Sequence, residues 1–265
     1  MHDSPPAEPA ARRDRLGTLR DQLTLPLICA PMFLVSGPDL VIAACRHGVI
    51  GSFPAPNARP IEVLDAWMAR IAAELAETRR AEPGRRVAPW SLNLVVHSSY
   101  DRLGAELELV ERHRPPIVIT ALGSPARVIE TVHGYGGLVF ADVGSVAMAR
   151  KAAQAGVDGL ILVSTGAGGH TGSVSPFVFV QAVRQFFDGI VVLAGGLCNG
   201  GAIRAAEVAG ADLADIGTLF IAARESLAPD DYRQMVVDAG VDDLVLTRAF
   251  TGANAYYLRR SVERS

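Results

Sequence analysis

The chain has 265 residues, of which 49% are hydrophobic and 20% charged. That composition supplies a buried core and excludes a disordered or fibrous polymer. A net charge of -3 gives no strong field for nucleic acid or an anionic membrane surface. Three cysteines, Cys29, Cys45 and Cys198, cannot form a disulfide framework and lack metal-ligand spacing. One lysine, Lys151, stands among 25 basic residues, and no G-K-[ST] phosphate loop occurs.

Residues 1–22 are rich in Pro, Ala and charge and have no apolar run of the secretory kind, so a flexible leader and a cytosolic protein are expected. No apolar run reaches the about 18 residues that a spanning helix needs. A first strand is predicted over Leu25–Ala30, followed by a helix over Asp39–Arg46 that His47-Gly48 stops. Val49–Phe53 is a second strand. Pro60 opens a helix whose Ile61, Leu64, Trp67, Met68, Ile71 and Leu75 repeat at three and four, the spacing of a core-facing stripe. Glu77–Pro89 reads as a long surface loop. The third to sixth strands are predicted at Trp90–Val95, Ile117–Thr120, Leu138–Asp142 and Gly159–Val163, with helices over 102–113, 126–133 and 145–155 between them. A glycine-rich loop follows from Gly166 to Gly172, then a helix over 176–187. The seventh strand is Ile190–Ala194, a helix covers 199–209, and the eighth strand is Ala214–Gly217, followed by an Ala-rich helix from Thr218.

Continuous apolar strands alternating with helices specify a parallel α/β protein. Eight such pairs in about 250 residues fit a closed (β/α)8 TIM barrel. An open dinucleotide-binding sheet would carry G-x-G-x-x-G after its first strand, where this chain has Ala30-Pro31-Met32-Phe33. The expected organisation is a leader over 1–22, a barrel over 23–228, and a short C-terminal helical extension over 229–265 packed on it.

Barrel active sites form from the loops after the strands. His47, His113 and His133 fall near helix ends, where capping is the expected role; His97 and His170 follow strands. His170 lies in Gly166-Ala167-Gly168-Gly169-His170-Thr171-Gly172, where Gly168 and Gly169 allow close approach of a flat ligand and an imidazole serves as acid, base or hydrogen-bond donor near neutral pH. Ala194-Gly195-Gly196 and Ile216-Gly217-Thr218 place glycines after the seventh and eighth strands, where barrels cradle phosphate. Ala30, Pro31 and Met32 can border a planar ring. Asn93 either meets a cofactor or is satisfied within the protein, and Asp142 either binds a ligand or caps the helix starting near Ser145. No H-E-x-x-H metal site or G-x-S-x-G elbow occurs. Cys198, with no base beside it, reads as a small buried residue.

The ordered set A-P-M-F, L-N-L, G-A-G-G-H-T-G, A-G-G and I-G-T, with Leu246-Thr247-Arg248-Ala249-Phe250-Thr251-Gly252 near the end, resembles the nitronate monooxygenase family over about Leu25 to Tyr257. The resemblance implies a barrel holding FMN, with Gly195, Gly196, Gly217 and Thr218 at the phosphate. It places Ala30, Pro31, Met32 and Asn93 along the flavin and its ribityl chain, and His170 as the catalytic residue. It implies oxidation of alkyl nitronates with O2 to a carbonyl compound and nitrite, and leaves homo-oligomerisation open. Val163-Ser164-Thr165-Gly166 departs from the Gln and acidic residue that many members carry there. Two alternatives stand beside it: an NAD(P)H-dependent FMN reductase of enoyl thioesters or quinones, and a flavin-binding module without turnover, against which the rim imidazole argues.

Overall fold

The structure, a computed structural model, describes residues 16–250, 252 and 254–263. Eight parallel strands close into a barrel: β1 (Leu27–Cys29), β2 (Ile50–Pro54), β3 (Trp90–Val95), β4 (Ile117–Ala121), β5 (Leu138–Val143), β6 (Gly159–Val163), β8 (Ile190–Ala194) and β9 (Leu213–Ile216). The two-residue strand β7 (Gly169–His170) lies outside the barrel in the glycine-rich loop. The predicted seventh and eighth strands are therefore β8 and β9. Closure is direct, with Leu27, Ile28 and Cys29 in register with Ala214, Asp215 and Ile216.

The helices that cover the barrel are α1 (Pro38–Arg46), α2 (Ile61–Ala81), α3 (Leu103–His113), α4 (Ala126–Gly134), α5 (Val146–Ala155), α6 (Pro176–Arg184) and α7 (Gly200–Ala209). Capping follows the sequence: Ser145 accepts from the Met148 amide to start α5, and Asn199 accepts from the Ala202 amide to start α7. The expected loop over Glu77–Pro89 begins only after Ala81, because Glu77–Ala81 continues α2. Thr78 is buried there and receives the Arg46 guanidinium at 2.9 Å. The helix expected from Thr218 is a single turn, α8 (Thr218–Ile221), and the alanines at 222 and 223 lie just beyond it.

Residues 1–15 of the expected leader lie outside the described residues. Residues 16–21 are helical, not a flexible leader, and Leu19 and Leu23 are buried against the barrel's inner cluster. Burying a leucine contributes roughly 1.5–3 kcal/mol, enough to hold this turn in place. The C-terminal region contains the expected helices, α9 (Asp230–Asp238) and α10 (Arg259–Glu263). It also contains two strands that the sequence reading did not foresee, β10 (Leu244–Thr247) and β11 (Ala255–Leu258). They form an antiparallel sheet in the order β10-β11-β7.

Two apolar layers hold the barrel. The larger packs the outward strand residues, such as Leu92, Leu94, Val118, Leu160 and Leu193, under the helices. The smaller fills the lumen with Ile28, Ile50, Ile117, Ile119, Phe140, Ile161, Ile190, Val192 and Leu213. Strand register then fixes which polar residues share the inner face. Asn93 stands beside Ile119, Asp142 beside Ile161, and Asp215 beside Ile28 and Ala194. Ser52 and Ser91 are also on this face and hydrogen-bond to each other.

Candidate functional site

The loops after β1, β6, β8 and β9 meet at one rim of the barrel. The Ala30 amide donates to the Ile216 carbonyl at 2.9 Å, tying the loop after β1 to the end of β9. A Cβ on Gly217 would lie 3.4 Å from Met32 Sδ and 3.6 Å from Ala30 Cβ. A Cβ on Gly168 would lie 2.9 Å from Thr218 Oγ1, and the Gly196 amide donates to the Gly166 carbonyl at 2.9 Å. The predicted residues Ala30, Met32, Gly168, Gly196, Gly217 and Thr218 thus converge, and Pro31, Gly169 and Gly195 lie between or next to them in the same loops.

Two glycines are required by backbone geometry. Gly195 has φ +124, and a Cβ there would run into the Ser164 hydroxyl, which donates to the Ala194 carbonyl at 2.6 Å. Gly196 has φ +69, and the space where its Cβ would project is open. Because its amide already serves Gly166, Gly196 offers a ligand an unobstructed surface rather than a hydrogen-bond donor. Asn57, which sequence reasoning missed, sets the loop after β1. Its amide nitrogen donates to the Met32 carbonyl at 2.9 Å and the Ser36 carbonyl at 2.8 Å, and its oxygen accepts from the Leu34 amide. It lies in a single 3-10 turn with no periodic signal to mark it.

His170 is exposed on β7, in register with Ala255, while Gly169 pairs with Tyr256. The Thr171 amide donates to the Asn254 carbonyl at 3.0 Å, and Thr171 Oγ1 donates to the Ser164 carbonyl at 3.1 Å. The loop that carries the imidazole is therefore clamped between the barrel and β11. Phe250, before β11, and Tyr257, within it, pack with ring centroids 4.8 Å apart, and Thr251 of the terminal motif lies outside the described residues. His97 is exposed beyond β3, its ring 2.7 Å from Ser99 Oγ. The helix-end histidines have structural partners: His47 the Ala43 carbonyl, His133 the Asp158 carboxylate, and His113 that of Asp65.

Asn93 is buried on the inner face, and its side chain makes no hydrogen bond to another described residue. Asp142 is on the same face and half-buried. Since Ser145 caps α5, the capping alternative for Asp142 falls away. Burial pushes its carboxyl up to about 7. Asp215 was not singled out from sequence, although an aspartate alternating with Leu213 on an apolar strand is itself a signal. Burial, and then the charge of Asp142, push Asp215 well above the usual carboxylate range. Cys198, expected to be buried, is exposed on the loop after β8. Among the described residues no group of three or more His, Cys, Asp or Glu could hold a metal. No helix there is long and apolar enough to cross a membrane.

The family model described as nitronate monooxygenase matches residues 18–265. The chain belongs to the nitronate monooxygenase family. Members are flavin-dependent oxidoreductases. A nitronate monooxygenase of Neurospora crassa is 35% identical over 243 residues, covering 80% of this chain and 64% of its own. The (3aS,4S,5R,7aS)-5-hydroxy-7a-methyl-1-oxo-octahydro-1H-indene-4-carboxyl-CoA dehydrogenase of Mycobacterium tuberculosis is 28% identical over 237 residues, 88% of this chain. The chain spans 63% of that dehydrogenase and 65% of its Rhodococcus jostii counterpart. Among solved structures, FabK from Thermotoga maritima superposes with a TM-score of 0.79 at 26% identity, covering 94% of this chain and 77% of that one. The nitroalkane oxidase from Streptomyces ansochromogenes gives a TM-score of 0.78 at 28% identity, covering 91% and 78%.

Proposed function

We propose that the barrel mouth binds FMN and that the protein oxidises anionic alkyl nitronates with O2 to a carbonyl compound and nitrite. The observation that carries this reading is the position of His170. It stands on a loop joined at Gly166 to Gly196 and closely approaching Thr218 at Gly168, so an imidazole borders the glycine-lined rim. The residues fit a flavin. The space beside Gly196 is free of side chains, Gly217 leaves Ala30 and Met32 exposed to a flat ring, and the Asn93 amide has no hydrogen-bond partner among the described residues. Ala30, Pro31, Met32 and Asn93 would lie along the ring and ribityl chain, and Gly195, Gly196, Gly217 and Thr218 around the phosphate. The flavin, when bound, supplies the redox chemistry that protein side chains lack. His170 holds an anionic nitronate by hydrogen bonding or charge, and for a neutral nitroalkane it removes the α-proton. Asp142, on the inner face, stands beneath the seat.

Reduction by NAD(P)H is the second reading, favoured by the similarity to CoA-linked dehydrogenases. One experiment separates the two. The purified protein is expected to be yellow and to release FMN on denaturation. Anaerobic addition of a nitronate should bleach the flavin band, and NADH should not. Bleaching by NADH alone selects the reductase reading, and release of FAD, or no flavin after reconstitution, overturns the FMN assignment.

A further inference from the structure

Asp142 and Asp215 are two carboxyls in a lumen otherwise filled mainly by branched and aromatic side chains. Strand register puts both on the inner face near the mouth end of their strands, Asp142 one residue before the end of β5 and Asp215 one before the end of β9. Asp215 lies two residues before Gly217, whose α-carbon faces Ala30 and Met32. The pair therefore stands at the floor of the cofactor seat. Both side chains are half-buried, Asp215 Oδ1 is fully buried without a hydrogen-bond partner, and neither carboxyl forms an ion pair among the described residues.

The facing strands offer no compensating charge. Beside Asp142, β6 presents Ile161 and Val163; beside Asp215, β8 presents Ala194, and β3 contributes the uncharged Ser91 and Asn93. From β1, Cys29 is near Asp215, but burial first and Asp215 second push its thiol up, so it stays neutral. The titratable side chains nearest the mouth in sequence are His170 on β7, Cys198 on the loop after β8 and His97 beyond β3, and none of them pairs with either carboxyl among the described residues. Two like charges without a cation resist further loss of solvent, so any flat ligand closing the mouth disfavours the ionised pair.

We propose that Asp142 and Asp215 form a proton-holding floor, and that a flavin settling over the mouth is bound together with a proton taken from solvent. This rests on the flavin reading above. The step is a protonation: an O–H bond forms on a carboxylate as solvent gives up the proton, and nothing is oxidised or reduced. The neutral acid then carries an O–H donor that the carboxylate lacked.

The test is calorimetry of FMN binding to the flavin-free protein in buffers of different ionisation enthalpy. At about pH 8 the ligand's own phosphate, with a second pKa of about 6, is already a dianion and contributes little. Expected is a net uptake of up to about one proton per FMN, with affinity falling as pH rises by at most about tenfold per pH unit. Asp142→Asn and Asp215→Asn should each reduce the uptake, and the double variant should bind FMN with no buffer dependence. FMN binding without proton uptake in the wild type overturns the proposal alone. Undiminished uptake in the double variant also overturns it, since the proton then goes elsewhere. Failure of the wild type to bind FMN at any pH overturns the flavin reading, and this inference with it.

Discussion

At the residue scale, the proposed function divides the site into groups that hold and one group that acts. Holding is done mostly by backbone and by missing side chains, so it is sensitive to added atoms. Gly196→Asp is expected to abolish FMN retention while the barrel stays folded. The left-handed φ of +69 disfavours any L side chain, and a carboxylate projecting into the open space repels the phosphate. Flavin content measured after gel filtration checks this, and unchanged content would move the phosphate seat elsewhere. In the proposed reaction His170 is the acting group, and because it is exposed its removal leaves no cavity. His170→Ala should retain FMN and lose about 10²- to 10⁴-fold in turnover, the usual cost of a positioned acid–base group. His170→Asn should keep part of the nitronate activity, since an amide still donates to an anion, and should lose activity on neutral nitroalkanes. Wild-type rates for His170→Ala on both substrates would sink the assignment and turn attention to His97.

At the scale of elements, the clamp on β7 is the feature that sequence patterning did not reveal. A chain ended after Arg248 loses β11, the strand in register with His170. Its barrel strands and both core layers are untouched, so thermal melting should move by a few degrees at most. Turnover should fall by about 10²-fold, because a misplacement of about 1 Å at a catalytic group has that cost. Full turnover in the shortened chain would show that β6 and β8 position the loop unaided. The eight barrel strands were legible because each is a mainly apolar run bounded by helix signals: Trp90–Val95, Gly159–Val163 and Ile190–Ala194 match to the residue. Strands β7, β10 and β11 were not: β7 is two residues inside a glycine-rich loop, and β10 and β11 are four-residue runs outside the strand–helix alternation that marked the others, formed only because they find one another. The same reason hid Asn57, whose role lies in three backbone contacts across a loop. Glu77–Ala81 was lost differently: its arginines and glutamate read as a solvated linker, whereas Arg80 pairs with Glu77 and Thr78 turns inward to meet Arg46.

At the scale of the whole molecule, the lumen carboxyls oppose folding when they are ionised. An unfolded aspartate titrates near 3.9, whereas native Asp142 titrates at about 7. Between those values the native state binds more protons than the unfolded chain. The favourable contribution is therefore complete below about pH 4 and is lost as pH rises to about 7, after which it is constant. Asp65 behaves in the opposite sense. Its hydrogen bond from His113, with Arg112 beside it, holds its carboxyl down, so its contribution is present above the unfolded value and lost in acid. Asp142→Asn removes its own share of the first trend and leaves the share of Asp215, and the second trend, in place. The flavin-free variant should match the wild type in unfolding free energy from denaturant titration near pH 4 and exceed it at pH 8 by about 1–3 kcal/mol, allowing for solvent that reaches the side chain from the mouth. Equal pH dependence in the two proteins would mean that Asp142 is solvated like a surface carboxylate. A variant stabilised at pH 8 yet changed in the proton count of FMN binding would connect the two scales, with the site's chemistry drawing on a cost that the barrel's two apolar layers absorb.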